Sequence, residues 1–417
     1  MILSNKQFLR LWLNQIFLQV GFNLCNYTVL LLLADRTHSP FIQAQFFISL
    51  ILPAFVFGLF AGSIVDLVPR KPLLLVADIL LSVLFFLYIF AGNSLFIFML
   101  IAFLTASCAR FFIPAQAATI PLIVERDKLN VANALFIFTL MGSVILGYII
   151  ASPIVELFGG LGTKGELAPF ILSSIFVLIG FVLLLGFKEV KISKPNTPAG
   201  TIFKKTFYLF WQTVREIKIN RNVSLPISLL IFVELNVGIL SIIFLEYVRR
   251  YLYLPLTSVS IVLMVPLVLG LVGGVAMLPK IQKGLGYRRS IYWAVLGIGF
   301  LFLILGFLPV LGRWDFGVPL IRFFSVVAAF VTGVLAVIIA VQSRTILQTN
   351  SDIHMQGRIF SFLDIMIALV TPLPVLFIGF TADKVSIPGT FVFIGIMIIS
   401  MLVLGERILF RRETVGT

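Results

Sequence analysis

Long apolar stretches alternate with short polar turns along nearly the whole chain. About 20 predominantly apolar residues make one helical crossing of a bilayer. On that measure the pattern predicts twelve spans. The first six run Phe8–Leu33, Gln45–Val65, Leu73–Ala91, Leu95–Ala118, Val131–Leu157 and Ala168–Phe187. The second six run Leu225–Leu245, Val259–Leu278, Ile291–Leu308, Val318–Val341, Ile359–Thr381 and Gly389–Leu409. A polar, basic stretch separates the two sets. The expected organisation is a six-helix bundle at residues 1–187, a connecting segment at 188–222 and a second six-helix bundle at 223–417. In the connecting segment, Lys191–Gly200 holds Pro195 and Pro198 and reads as a linker. Thr201–Asn220 mixes Phe203, Phe207 and Trp211 with Lys204, Lys205, Arg215 and Lys218. That composition suits a helix lying on the membrane surface; a solvated loop is the other reading.

Composition agrees with a lipid-embedded, all-α protein. Of 417 residues, 60% are hydrophobic and 12% charged, against about 25% charged in soluble domains. The net charge of +14 would point to nucleic acid in a soluble chain, but here it is segregated. With the N-terminus inside, 23 Lys and Arg fall in inner loops and 6 in outer ones. That asymmetry predicts that both termini are cytoplasmic. It also supports the span count, because one missed crossing would scramble it. The N-terminus has no short apolar run with a small-residue cleavage site, so the first span reads as retained. Cys25 and Cys108 lie inside spans and read as buried small side chains. His38 and His354 lack neighbours at metal-ligand spacing, so no metal and no cofactor are expected. No phosphate-binding glycine loop occurs, which argues against direct ATP use.

Charges within spans are costly and mark candidate functional positions. Asp78 in span three and Arg110 in span four lie at similar depth, as a candidate buried pair; Arg110 otherwise reaches a substrate. Glu234 sits nine residues into span seven, roughly 14 Å from its inner end at the helical rise. It is the first candidate for proton coupling, and Asp364 in span eleven is the second. Arg322, near the outer end of span ten, either snorkels or pairs with Glu246. In span one, Gln15, Gln19, Asn23 and Asn26 follow a helical stripe. A polar stripe facing lipid is expensive, so it either lines a cavity or bonds a neighbouring helix.

The sharpest local signal is Gly62-Ser-Ile-Val-Asp66-Leu-Val-Pro-Arg70-Lys71, between spans two and three. An acid at a helix end followed by two bases forms a compact cluster able to hold one state of a two-state machine. Gly62, Asp66, Arg70 and Lys71 resemble the signature of the major facilitator superfamily, with departures at Leu67 and Pro69. Phe8-Leu-Arg-Leu-Trp12, the run Arg110–Val124 and Leu129-Asn-Val-Ala-Asn133-Ala-Leu are similar to its branch of macrolide-efflux, enterobactin-exporter-like and lysophospholipid transporters. The resemblance implies two pseudo-symmetric bundles, alternating access about a midplane site, a latch formed by the Asp66–Arg70 cluster and an ion-driven cycle. It implies a small-molecule substrate and protons or another coupling ion as partners, with no nucleic acid, in a monomer of the bacterial inner membrane. The expected activity is proton-coupled efflux of a small amphipathic or organic solute. The alternatives are a lysophospholipid flippase of the same fold and, from another class, an integral-membrane enzyme. The latter lacks an evident acid–base set, and no catalytic residue is predicted.

Overall fold

The computed structural model describes residues 2–65, 68–125, 128–188, 208, 211–212, 214–215, 217, 220–313, 317–350 and 356–409. Their long elements are α1 (Lys6–Thr37), α2 (Pro40–Val65), α3 (Arg70–Leu87), α4 (Leu95–Ile123), α5 (Leu129–Leu157) and α6 (Ala168–Leu185). These are followed by α7 (Arg221–Tyr251), α8 (Val265–Phe307), α9 (Gly317–Thr349), α10 (Gln356–Val370), α11 (Pro372–Lys384) and α12 (Ile387–Leu409). No strand occurs among the described residues. Eleven described segments are long and apolar enough to cross a membrane. One of them, Leu256–Val310, is 55 residues long and includes two of the predicted spans. The polar stretch expected to be their loop stays helical except at Gly286, whose φ of 71° and ψ of 171° break α8. Lys280, Gln282 and Lys283 are good helix formers, so the helix runs on past the apolar stretch.

Local chemistry sets where the helices start. Asn5 Oδ1 accepts from the backbone N–H groups of Gln7 and Phe8 and caps α1. Ser39 caps α2 by accepting from Ile42 N–H, with Pro40 as the first helical residue. Ser94 does the same for α4 and Ser386 for α12. A hydroxyl or amide at this position satisfies a donor that the helix cannot. Proline at the first position loses no helical bond. Pro372 also ends α10 and restarts the chain as α11, because it cannot donate to the turn before it.

The chain divides into two compact units. Unit 1 comprises Met1–Thr37, Gln45–Ile219 and Gly357–Pro372. Unit 2 comprises His38–Ala44, Asn220–Gln356 and Leu373–Thr417. Two spans are therefore split between the units. The first turn of α2 counts with unit 2, and α10 counts with unit 1.

In unit 1 the most buried helix is α1, between α5 and α6. Glycine makes these approaches possible. A Cβ at Gly147 of α5 would lie 2.6 Å from Asn23 Cβ, and one at Gly180 of α6 would lie 3.0 Å from the Asn14 amide. Between α3 and α6, Ser82 and Ser174 share a hydroxyl hydrogen bond of 2.8 Å. Tyr88 stacks on Phe98 and Phe170, with centroids 5.6 and 5.1 Å away. At the same end of the unit, Arg36 pairs with Glu166, and its guanidinium sits 5.6 Å from the Phe98 ring centroid.

Unit 2 packs by the same means. Gly270 of α8 and Gly333 of α9 meet so closely that a Cβ on either would fall about 2 Å from a backbone carbonyl. Phe391 of α12 touches Phe244, Tyr247 and Phe302 and forms the aromatic centre of this unit. Many large apolar side chains on the outer helix faces are exposed, among them Phe96, Phe138, Phe323 and Leu373. Such faces suit hydrocarbon, while each helix satisfies its own backbone. In the connecting segment, Tyr208, Trp211, Gln212, Val214, Arg215 and Ile217 are helical. Tyr208 and Trp211 are exposed and Ile217 is buried. The rest of the predicted surface helix lies outside the described residues.

Candidate functional site

The charges that sequence places inside spans fall into three groups. The first is in unit 1, where α2, α4 and α10 meet. Arg110 on α4 is half-buried, and Asp364 on α10 is exposed and within its electrostatic reach. Phe57 of α2 packs its ring on Phe103 and Phe111 of α4, with centroids 6.4 and 5.6 Å away. Next to Asp364, Ile365 reaches the backbone of α2 at Gly58, 3.6 Å from where a Cβ would stand. Arg110 and Asp364 thus carry opposite charges on separate helices, close enough for one to feel the other's field.

The second group is Asp78. Its side chain is fully buried and accepts a hydrogen bond of 2.7 Å from the Asn14 amide. Among the described residues it forms no ion pair with Arg110; the helical rise matched their depths but not their faces. Its other oxygen, Oδ1, has no hydrogen-bond partner there. Asp78 thus joins α3 to α1 inside unit 1.

The third is Glu234 on α7, in unit 2. It is exposed and shares a helix face with Val237 and Ser241. Asn236, two residues on, turns inward and donates to the Phe232 carbonyl. A carboxylate on an exposed face of a membrane helix cannot rest against hydrocarbon without a cost of about 2.5–3.5 kcal/mol.

The polar stripe of α1 turns into unit 1. Gln15 and Gln19 are buried, and Gln15 donates to the Phe136 carbonyl at 3.2 Å. Asn23 donates to Ser143 Oγ at 3.3 Å and to the Gln19 carbonyl. Asn26 is buried, and its Oδ1 has no partner among the described residues. Of the two readings of this stripe, the contacts of Gln15 and Asn23 are those of helix-to-helix bonding, with α5 as the partner.

In the loop motif, Gly62 lies in α2 and Asp66 lies outside the described residues. The two bases bind backbone. Arg70 donates to the Ala118 carbonyl near the end of α4. Lys71 donates to Leu185 O at the end of α6, 3.0 Å away. Arg10 donates to Gly186 O beside it. At the end of α6, Lys71 and Arg10 satisfy orphan carbonyls and oppose the negative end of the helix dipole. Sequence reasoning missed these partners because a carbonyl carries no residue identity.

Another missed cluster lies in unit 2. The Glu246 carboxylate is buried and accepts from Arg249 at 2.6 Å and from Arg250 at 2.8 Å. Arg249 also bonds the His38 ring, and Arg250 donates to the His38 carbonyl. The spacing of Glu246 to the bases, three and four residues on, was the available signal. Arg322 does not reach Glu246; it donates to the Leu252 and Tyr253 carbonyls at 2.8 and 3.2 Å. Among the described residues no cluster of His, Cys, Asp and Glu could hold a metal, and His354 lies outside them.

A family model of the Major Facilitator Superfamily matches residues 11–340. No curated protein sequence matches the chain. Solved structures share its fold. The nucleoside transporter NupG superposes with a TM-score of 0.70 at 12% identity, covering 98% of this chain and 100% of that one. The POT family transporter PepTSo gives 0.74 at 13% identity, covering 98% and 99%. An auto-inhibited POT family peptide transporter gives 0.73 at 12%, covering 98% of both. At these identities the likeness is one of fold.

Proposed function

We propose that this chain, which belongs to the major facilitator superfamily, is a proton-coupled secondary transporter that exports a small amphipathic or organic solute by alternating access. The observation that carries the reading is that Arg110, Asp364 and Glu234 are ionisable groups set within long apolar helices. A purely structural membrane protein has little reason to keep such charges. In this reading Asp364 and Glu234 take up and release the coupling proton. Arg110 binds substrate or holds Asp364 until the proton arrives. Gln15 and Asn23 bond α1 to α5, and in this reading the stripe they form with Gln19 and Asn26 braces unit 1 while the path opens. Gly62, Asp66, Arg70 and Lys71 form the inner latch, with Arg70 and Lys71 bearing on the ends of α4 and α6 in the state described.

The proposed topology is twelve crossings with both termini inside, as in the macrolide-efflux and enterobactin-exporter branch, in a bacterial inner membrane. A 55-residue apolar segment would be roughly 80 Å long as one helix, far beyond the ~30 Å hydrocarbon layer. Two crossings joined at Gly286 remove that mismatch.

The test is transport by purified protein in sealed liposomes under an imposed pH gradient, with a panel of amphipathic solutes. The expected result is gradient-driven movement that Asp364→Asn abolishes and Glu234→Gln uncouples from the gradient. Undiminished gradient-driven movement in both variants would overturn the coupling assignment. Movement of lysophospholipid analogues without any soluble compound would replace the exporter by a flippase.

A further inference from the structure

Inside unit 1, α1 and α3 meet through two polar side chains that the transport reading does not use. Asn14 and Asp78 each stand eight residues into their helix, roughly 12 Å from its start at the helical rise. Both are fully buried. The Asn14 amide donates to Asp78 Oδ2 at 2.7 Å. Among the described residues two oxygens of the pair have no partner, Asn14 Oδ1 and Asp78 Oδ1. An amide oxygen and an ionised carboxylate only accept, so neither serves the other. From the third side α6 presses close: a Cβ on Gly180 would lie 3.0 Å from the Asn14 amide. One turn along α3, the Ser82 hydroxyl is engaged with Ser174 of α6.

The surrounding helices bring no counter-charge to Asp78. Nothing on α6 is ionisable. On α4 the ionisable groups are Cys108 and Arg110, and Arg110 is in the field of Asp364. On α5 they are Tyr148 and Glu156, in its second half. Below the pair, Arg10 of α1 and Arg70 and Lys71 of α3 hold backbone carbonyls, and Lys6 lies two turns from Asn14. Above it, Cys25, Tyr27, Asp35 and Arg36 are three turns or more along α1. A carboxylate here would be a buried charge with one hydrogen bond, an expensive state in a membrane helix.

We infer that Asn14 and Asp78 form a proton-binding site. The proton sits on Asp78 Oδ1 and is donated to Asn14 Oδ1. With the bond already present, it closes a cyclic acid–amide pair. One proton thereby supplies the missing donor, satisfies both oxygens and removes the charge. A water molecule would satisfy the oxygens and leave the charge unopposed. A metal cation would remove the charge but takes more oxygens than these two. Losing the proton leaves both oxygens without a donor, so its release requires water to enter between α1 and α3. The site is distinct from Asp364 and Glu234, and its occupancy does not depend on their coupling role.

The experiment is infrared difference spectroscopy on the full chain in nanodiscs of zwitterionic lipid, near neutral pH, in sodium and in sodium-free buffer. Subtracting the Asp78→Asn spectrum isolates the one carboxyl group. The expected result is a carboxylic-acid carbonyl band that belongs to wild type, is lost in Asp78→Asn and does not respond to sodium. Asn14→Ala, which removes the acceptor, should shift that band to higher frequency. Asp78→Asn is the neutral isostere and can still donate to Asn14, so its unfolding midpoint in SDS should match that of wild type. A carboxylate band in place of the acid band would overturn the inference in favour of a water-bridged anion. An acid band that appears only without sodium would overturn it in favour of a cation site. Failure of Asp78→Asn to fold, read by circular dichroism, would overturn it as well, because a neutral side chain would then not replace the native one.

Discussion

Replacing Gly270 by alanine sets two opposing effects against each other, and the structure decides the winner. Alanine favours a helix interior over glycine by about 1 kcal/mol. At Gly270, however, the new Cβ would lie 1.9 Å from the Phe330 carbonyl oxygen, where contacts below 3.0 Å are essentially never seen. That carbonyl belongs to the backbone of α9 and cannot swing away. The two helices must part by roughly 1 Å, and a gap of that size forfeits about a quarter to a half of each dispersion contact. Over some 40–60 atom pairs at about 0.1–0.2 kcal/mol each, the loss is about 2–3 kcal/mol. The net effect of Gly270→Ala is a destabilisation of about 1–2 kcal/mol. Gly333→Ala meets the Leu267 carbonyl oxygen at 2.1 Å and should behave alike. Gly142 of α5 is the control, because nothing lies within 4 Å of its Cβ position. Gly142→Ala should be neutral or stabilising by up to about 1 kcal/mol. The assay is reversible unfolding in mixed micelles by SDS titration, read by circular dichroism. If Gly270→Ala and Gly142→Ala shift the midpoint alike, the argument from close backbone approach is wrong.

Other substitutions test the charge clusters. Arg110→Gln should abolish transport while the protein stays folded, and exchanging the pair as Arg110→Asp with Asp364→Arg should restore assembly better than either change alone. Expression and monodispersity in detergent report that rescue. Removing both partners of Glu246, by Arg249→Gln with Arg250→Gln, strands a buried carboxylate. The expected loss is about 2 kcal/mol, below the roughly 3–5 of a fully buried pair, because Arg250 is 40% exposed; Glu246→Gln should cost less by the same SDS titration. Arg70→Gln removes the donor to Ala118 O and should cost about 1–2 kcal/mol. Its transport rate should change more than its stability if the α3 end moves in the cycle, and a proportionate change in both would refute the latch.

Hydropathy alone made the chain an all-helical membrane protein, because the bilayer core imposes both segment length and internal backbone bonding. The motif Gly62–Lys71 and its neighbours were enough to point to the superfamily. Residue identity also singled out Arg110, Asp364 and Glu234, since an ionisable group inside a span stands out against its apolar surroundings. Tertiary structure decided what each one touches. Asp78 and Arg110 share a depth, yet depth along a helix says nothing about the face on which a side chain emerges. Asp78 therefore meets Asn14, and Arg110 lies near a residue more than 250 positions away. The bases of the loop motif bind backbone carbonyls, which every residue carries and no sequence pattern marks. The glycines that set the helix crossings look like any others until the opposing backbone is placed 2 Å from their missing Cβ. Helix formation depends on neighbours along the chain, whereas partners depend on how helices rotate against each other, and only packing fixes that rotation.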